Sequence, residues 1–111
     1  MNIHVRLLKD AEEFLDCIDE KSRKKIMTDM RKTVAGLRGD WFRKMPGTDG
    51  LWEFRTLFNK IQYRVFAFWD TREKEKTLII CTHGLIKKTD RTPAQDIEKA
   101  ERIKHEYLHN E

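Results

Sequence analysis

The chain has 111 residues, 39% of them hydrophobic and 38% charged, with a formal net charge of +4. That length supports one domain over residues 1–111 with a single modest core. No apolar stretch approaches the ~20 residues that cross a bilayer, and Met1–Arg6 lacks a signal-peptide hydrophobic region, so a cytoplasmic protein without membrane contact is expected.

The charge is unevenly spread. Residues 1–20 carry two basic and six acidic side chains, whereas residues 21–44 carry nine basic ones against Asp29 and Asp40. Such a basic segment attracts polyanions without choosing among them. The two cysteines, Cys17 and Cys81, fall in different elements within apolar patterns, which reads as two small buried thiols rather than a disulfide or metal pair.

From the N-terminus, Ile3, Val5 and Leu7 alternate with polar neighbours over Asn2–Leu8, the period of a half-buried strand. Asp10 with Glu13 has capping-box spacing, and Ala11, Phe14, Leu15 and Ile18 follow helical spacing behind it. After a break at Asp19–Lys21, Ser22 fits the N-cap of a second helix. Its buried stripe is Ile26, Met27, Met30, Val34 and Leu37, and Gly36 and Gly39 mark its end. The acidic face of the first helix and the basic face of the second suit pairing across a helical hairpin.

Residues 38–50 read as a loop, with turns at Pro46-Gly47 and Asp49-Gly50. Leu51–Leu57 then places Trp52, Phe54 and Thr56 on one face and Glu53 and Arg55 on the other. Asn59-Lys60 turns the chain into Ile61–Trp69, rich in aromatic and β-branched residues. Beyond a charged connection over Asp70–Lys76, Thr77–Leu85 is nearly all apolar, as in a strand buried on both faces. Thr92-Pro93-Ala94-Gln95 predicts a capped helix start, with Thr92 at the N-cap and Pro93 in the first turn. Ile97, Ala100, Ile103 and Tyr107 form its narrow apolar stripe. The fold class is therefore α+β: an N-terminal strand, a two-helix hairpin, a three-stranded antiparallel meander and a C-terminal helix.

Three of these elements bring cations toward one sheet: Arg55, Arg64, and the pair Lys87 and Lys88. Arginines on strands are rigidly placed, and their planar donors match phosphate oxygens. The alternative is a salt bridge, with Glu53 the obvious partner of Arg55 or Arg64. Cutting RNA without a metal needs an aligned 2′-hydroxyl, a base, positive charge on the phosphorane and an acid for the leaving oxygen. The cations supply the charge. His83 is the histidine nearest them and suits acid or base, although a histidine in an apolar run is more often a hydrogen-bonded core residue. His105 and His109 have metal-compatible spacing but no third ligand, so no metal site is expected. There is no Gly-rich phosphate loop, Cys-x-x-Cys pair or serine-nucleophile motif, and no cofactor is expected.

Five stretches together resemble the phage-derived, HigB-like branch of the RelE/ParE toxin superfamily. They are Gly50-Leu51-Trp52-Glu53-Phe54-Arg55, Tyr63-Arg64-Val65-Phe66, His83-Gly84-Leu85-Ile86-Lys87-Lys88-Thr89, Arg91-Thr92-Pro93 and Ile97-Glu98-Lys99-Ala100. The resemblance spans nearly the whole chain. It implies a RelE-like fold whose two N-terminal helices cover one sheet face and whose opposite face is concave and basic. It also implies the toxin of a type II toxin–antitoxin pair, a metal-independent endoribonuclease that cuts mRNA on the ribosome. The implied partners are an antitoxin, of helix-turn-helix type, and operator DNA through the toxin–antitoxin complex.

Carried over by residue, Arg55 matches the arginine that contacts the scissile phosphate. Arg64 matches the Tyr-Arg of the next strand, and Lys87 and Lys88 take the basic position after the last strand. Lys44 falls where relatives carry loop lysines; by their charge rather than by the resemblance, Arg43, Lys24, Lys25 and Arg91 complete the expected RNA-binding set. Some relatives place a tyrosine or an acid–histidine group after the last strand. Here the segment reads Thr89-Asp90-Arg91-Thr92, which leaves Asp90 as the substitute. That departure keeps open a non-catalytic nucleic-acid or ribosome-binding module, or a phage-derived interaction module, with the same fold.

Overall fold

A computed structural model describes residues 2–110. Strand β1 (Ile3–Leu7) leads into helices α1 (Lys9–Cys17) and α2 (Glu20–Val34). Strands β2 (Phe42–Lys44), β3 (Leu51–Phe58), β4 (Ile61–Asp70) and β5 (Thr77–Lys87) follow, and helix α3 (Ala94–His109) ends the described chain. No helix among the described residues is long and apolar enough to cross a membrane.

The mixed α+β class holds, but the sheet has five strands in the order β1-β5-β4-β3-β2, not three in a meander. β1 pairs in parallel with β5, Ile3 opposite Thr77 through Leu7 opposite Cys81, and every other pairing is antiparallel. The parallel pair joins residues 74 positions apart, which local periodicity does not report. β2 is three residues long, too short for alternation to show, so the sequence pattern there reads as loop.

The helix starts also differ from their predicted caps. α1 begins at Lys9 with Leu8 at the N-cap and no side-chain cap, so Asp10 lies inside its first turn. Asp19 rather than Ser22 caps α2, accepting from Ser22 N at 3.1 Å and Ser22 Oγ at 2.6 Å. Ser22 is instead buried, its hydroxyl 2.8 Å from that of Tyr63 on β4. At α3, Pro93 takes the N-cap position, and no side chain of Thr92 or Gln95 closes a box.

Side chains alternate across the sheet, and each face has its own core. On the helix side, Ala11 and Leu15 of α1 and Ile26 and Met30 of α2 pack on Phe54, Tyr63, Val65, Ala67, Ile79 and Cys81. Gly84 lies under α1 so closely that a Cβ there would sit 2.3 Å from the Phe14 ring. Burial pushes the Cys81 thiol far up, and Cys17 is exposed at the end of α1, not buried as its apolar context predicted. On the opposite face, α3 covers one end of the sheet. Ala100 and Ile97 meet Leu51 and Phe66, and Tyr107 and Leu108 meet Phe68, Leu78 and Ile80. Asp10 pairs with Lys99 of α3 at 3.1 Å, and none of the ion pairs formed by the described residues joins α1 to α2.

Candidate nucleic-acid interface

The part of this second face that α3 leaves uncovered is ordered by strand register. Residues directly opposite each other across a ladder project to the same side. One row runs Arg43, Glu53, Phe66, His83, and the next runs Arg55, Arg64, Leu85. Beyond them Leu57, Gln62 and Lys87 form a third. The face thus carries Arg43, Arg55, Arg64 and Lys87, and Glu53 is the one carboxylate in these rows among the described residues.

Glu53 Oε1 lies 3.4 Å from Arg55 Nε and 3.7 Å from Arg64 Nε. Arg64 is buried, with 3% exposure, and its guanidinium is built into the sheet: Nη1 donates to Tyr63 O at 3.0 Å and Nη2 to Gln62 Oε1 at 2.8 Å. Burial draws its pKa down and Arg55 adds to that, while Glu53 opposes them. An arginine so placed keeps its charge and is held in one orientation. Arg55 is the more open of the two, its side chain 30% exposed.

The cluster keeps unused hydrogen-bonding capacity. Glu53 Oε2, Arg55 Nε and Arg64 Nε are buried with no hydrogen-bond partner. Buried polar atoms are ordinarily paired, because leaving one unmade costs about 1–3 kcal/mol. Both arginine Nε atoms face Glu53 Oε1 in the ion pairs, so Glu53 Oε2 is the acceptor that the cluster leaves unused.

His83 belongs to the same face but is used structurally. It is buried, lies tilted with its ring centre 4.8 Å from that of Phe66, and bridges Thr82 Oγ1 through Nδ1 and Asp96 Oδ1 through Nε2, each at 3.2 Å. Burial lowers its pKa, and the hydrogen bond with Asp96 works against that. It locks the first turn of α3 to β5.

The remaining sequence candidates separate. Lys44 stands opposite Trp52 and so projects to the helix side, away from Arg43 beside it. Lys24 and Lys25 lie on α2, behind the sheet, and Lys24 Nζ pairs with Glu20 at 3.2 Å. Lys88, Asp90 and Arg91 are exposed on the connection from β5 to α3. Among the described residues, no hydrogen bond or ion pair joins these three to the arginine rows. Glu53, read from sequence only as a salt-bridge partner, is the centre of the site; its shared parity with Arg55 was the available signal. The paired rings of His105 and His109 are 4.0 Å apart on α3. Among the described residues no group of three or more His, Cys, Asp or Glu is gathered as for a metal ion.

The family model described as phage-derived protein Gp49-like (DUF891) matches residues 13–105, which include every strand of the arginine rows. No curated protein matches the chain.

Proposed function

The chain belongs to the phage-derived Gp49-like family, a family of the RelE toxin-like type whose members are often toxins of toxin–antitoxin pairs, and on that premise we propose that it is an RNA-cutting toxin. Its finer place is the HigB-like branch, acting on mRNA at the ribosome. An antitoxin of helix-turn-helix type restrains it, and the complex of the two binds operator DNA.

The observation that carries this reading is the Glu53–Arg55–Arg64 cluster, two arginines on one carboxylate whose Oε2 has no hydrogen-bond partner. Arg55, partly open, takes a non-bridging oxygen of the scissile phosphate. Arg64 holds Glu53 in place and adds fixed positive charge beneath the phosphorane. Glu53 Oε2 has a free lone pair and takes the proton from the 2′-hydroxyl. The 2′-oxygen then bonds to phosphorus and the bond to the 5′-oxygen breaks. Lys87, on the row above, donates the proton that the departing 5′-oxygen needs. The products are a 2′,3′-cyclic phosphate and a 5′-hydroxyl, and no metal or cofactor takes part in these steps. Arg43 and the exposed Lys88 and Arg91 extend the contact along the RNA backbone.

Inducing the chain in bacteria and mapping mRNA ends tests the proposal. Growth arrest with codon-phased cuts that carry 5′-hydroxyl ends is expected, and Arg55→Ala should reduce them by about 10²–10³-fold. Arrest without cuts would favour a non-catalytic ribosome-binding module.

A further inference from the structure

The helix side of the sheet carries a second feature, unrelated to the arginine rows. A groove of about 720 Å³ opens between the C-terminal end of α2 and strands β2 to β4, and its walls include Val34, Leu37, Arg38, Phe42, Trp52 and Trp69. Val34 is 40% and Leu37 57% exposed, two large aliphatic side chains turned toward solvent at its rim. Leu37 is not loosely held. α2 ends with Gly36 at φ 88°, with Gly36 N donating to Thr33 O and Leu37 N to Lys32 O, both at 3.0 Å. That paired-bond helix stop fixes the backbone that presents Leu37.

We propose that this groove is the docking site for a segment of a partner protein that is apolar at its anchors and acidic at its flanks. Charge selects the partner. Among the described residues Arg38 is the charged one in the wall, and no carboxylate lines the groove. Lys44 adds a cation on the same sheet face, opposite Trp52. A nucleic acid is the poorer occupant because the aromatic rings here pack on one another. Phe42 stacks on Trp52 at 4.9 Å and on Phe54 at 4.3 Å, and Trp52 meets Trp69 edge-on at 5.8 Å. Val34 and Leu37 at the rim add aliphatic surface, suited to leucine-like side chains rather than to intercalated bases. Occupation of this groove leaves the arginine face on the other side of the sheet uncovered, so the proposal stands whether or not the chain cuts RNA.

Tryptophan emission of the purified full chain reads the groove directly, because Trp52 and Trp69 form its wall. The probe is an amphipathic peptide of alternating leucine and glutamate blocks; its lysine counterpart is the control. The acidic peptide should shift the emission saturably, and the basic one should not. Leu37→Asp and Arg38→Glu, both at exposed positions, should each weaken binding by at least about tenfold with the circular dichroism spectrum unchanged. No shift up to roughly 1 mM peptide, or equal binding of the basic peptide, overturns the proposal. So does a dimer in sedimentation that Leu37→Asp dissolves, which would assign the groove to a second copy. A short RNA that gives the same shift, abolished in Leu37→Asp, overturns it as well.

Discussion

Glu53 holds its Oε1 3.7 Å from Arg64 Nε, with side-chain exposures of only 12% and 3%. A pair withdrawn from water to that degree is costly to break, since the remaining partner is left as an uncompensated buried charge, at about 3–5 kcal/mol. Glu53→Gln is therefore expected to lower stability in urea unfolding while the chain still folds. It should also abolish cleavage, because the amide cannot accept the 2′-hydroxyl proton. Arg55→Ala separates the two roles. At 30% exposure its removal should cost little stability and reduce cleavage by about 10²–10³-fold, as for other donors to a developing anion. Cleavage by Glu53→Gln at the parent rate would remove Glu53 from the chemistry.

How much of this is legible in the sequence differs by residue. The face shared by Glu53 and Arg55 follows from the two-residue period of a strand, and Arg64 follows from an antiparallel neighbour joined by the Asn59-Lys60 turn, both of whose residues have positive φ. The position of Arg43 does not follow. It depends on three residues of β2 pairing with β3, and a strand of three residues has no measurable period. His83 resembles a catalytic group by its place in the chain. Its use as a tie between β5 and α3 depends on Asp96, thirteen residues away, which only the packing of α3 brings near. The basic stretch of α2 is visible as charge, but charge along a helix does not say which side of the sheet that helix covers.

His83 also sets a pH dependence. Burial lowers its folded-state pKa below the ordinary value of 6.5, so the neutral ring is the form that the fold prefers. Between those two values the unfolded chain binds the proton and the folded chain does not. Stability from this group is full above about pH 6.5 and is lost as pH falls toward the lowered folded value. The Arg72 hydrogen bonds hold Asp70 below its ordinary 3.8, so its contribution survives this window and disappears only at lower pH. The urea midpoint should therefore drop between neutral pH and pH near 5, and His83→Gln should flatten that slope. An unchanged slope in the variant would place the titration elsewhere.

Gly84 has no room for a side chain. A Cβ there would lie 2.3 to 2.7 Å from three atoms of the Phe14 ring, which packs against the main core. Gly84→Ala must push α1 off β5 or force the ring from its rotamer, at about 1–3 kcal/mol. Thermal unfolding should show the destabilisation, and the double variant Gly84→Ala with Phe14→Leu should recover part of it.

Asp29 joins α2 to the sheet from within the core. It is 3% exposed and accepts from Thr56 Oγ1 at 2.7 Å, while Lys32 Nζ stands 3.5 Å from its other oxygen. Asp29→Ala strands the buried Thr56 hydroxyl, whose residue sits at 2% exposure. A destabilisation of about 1–3 kcal/mol is expected. Asp29→Ala combined with Thr56→Val should cost less than the sum of the two single changes, since the pair would then be removed together.

Arg43 and Lys44 are chain neighbours of equal charge on opposite faces of β2, and they provide the sharpest test of the assigned RNA face. Arg43 stands opposite Glu53 in the row that leads to Arg55 and Arg64, whereas Lys44 stands opposite Trp52 on the helix side. Both are exposed on a sheet edge, so neither substitution should disturb folding. Each cation that neutralises a phosphate of a single strand adds about 0.7 to the magnitude of the slope of log K against log salt, so deleting one at the interface lowers that magnitude by the same amount. Deleting a cation elsewhere leaves the slope nearly unchanged. Arg43→Ala is expected to weaken binding of a short single-stranded RNA and to lower the slope, with Lys44→Ala close to the parent in both. If Lys44→Ala produced the larger effect, RNA would lie on the helix side, and the Glu53 cluster would lose its claim to be the binding site. The same pair of variants serves the groove in reverse. Lys44→Ala should weaken the acidic peptide and Arg43→Ala should not, so two adjacent residues report on two faces through two different ligands.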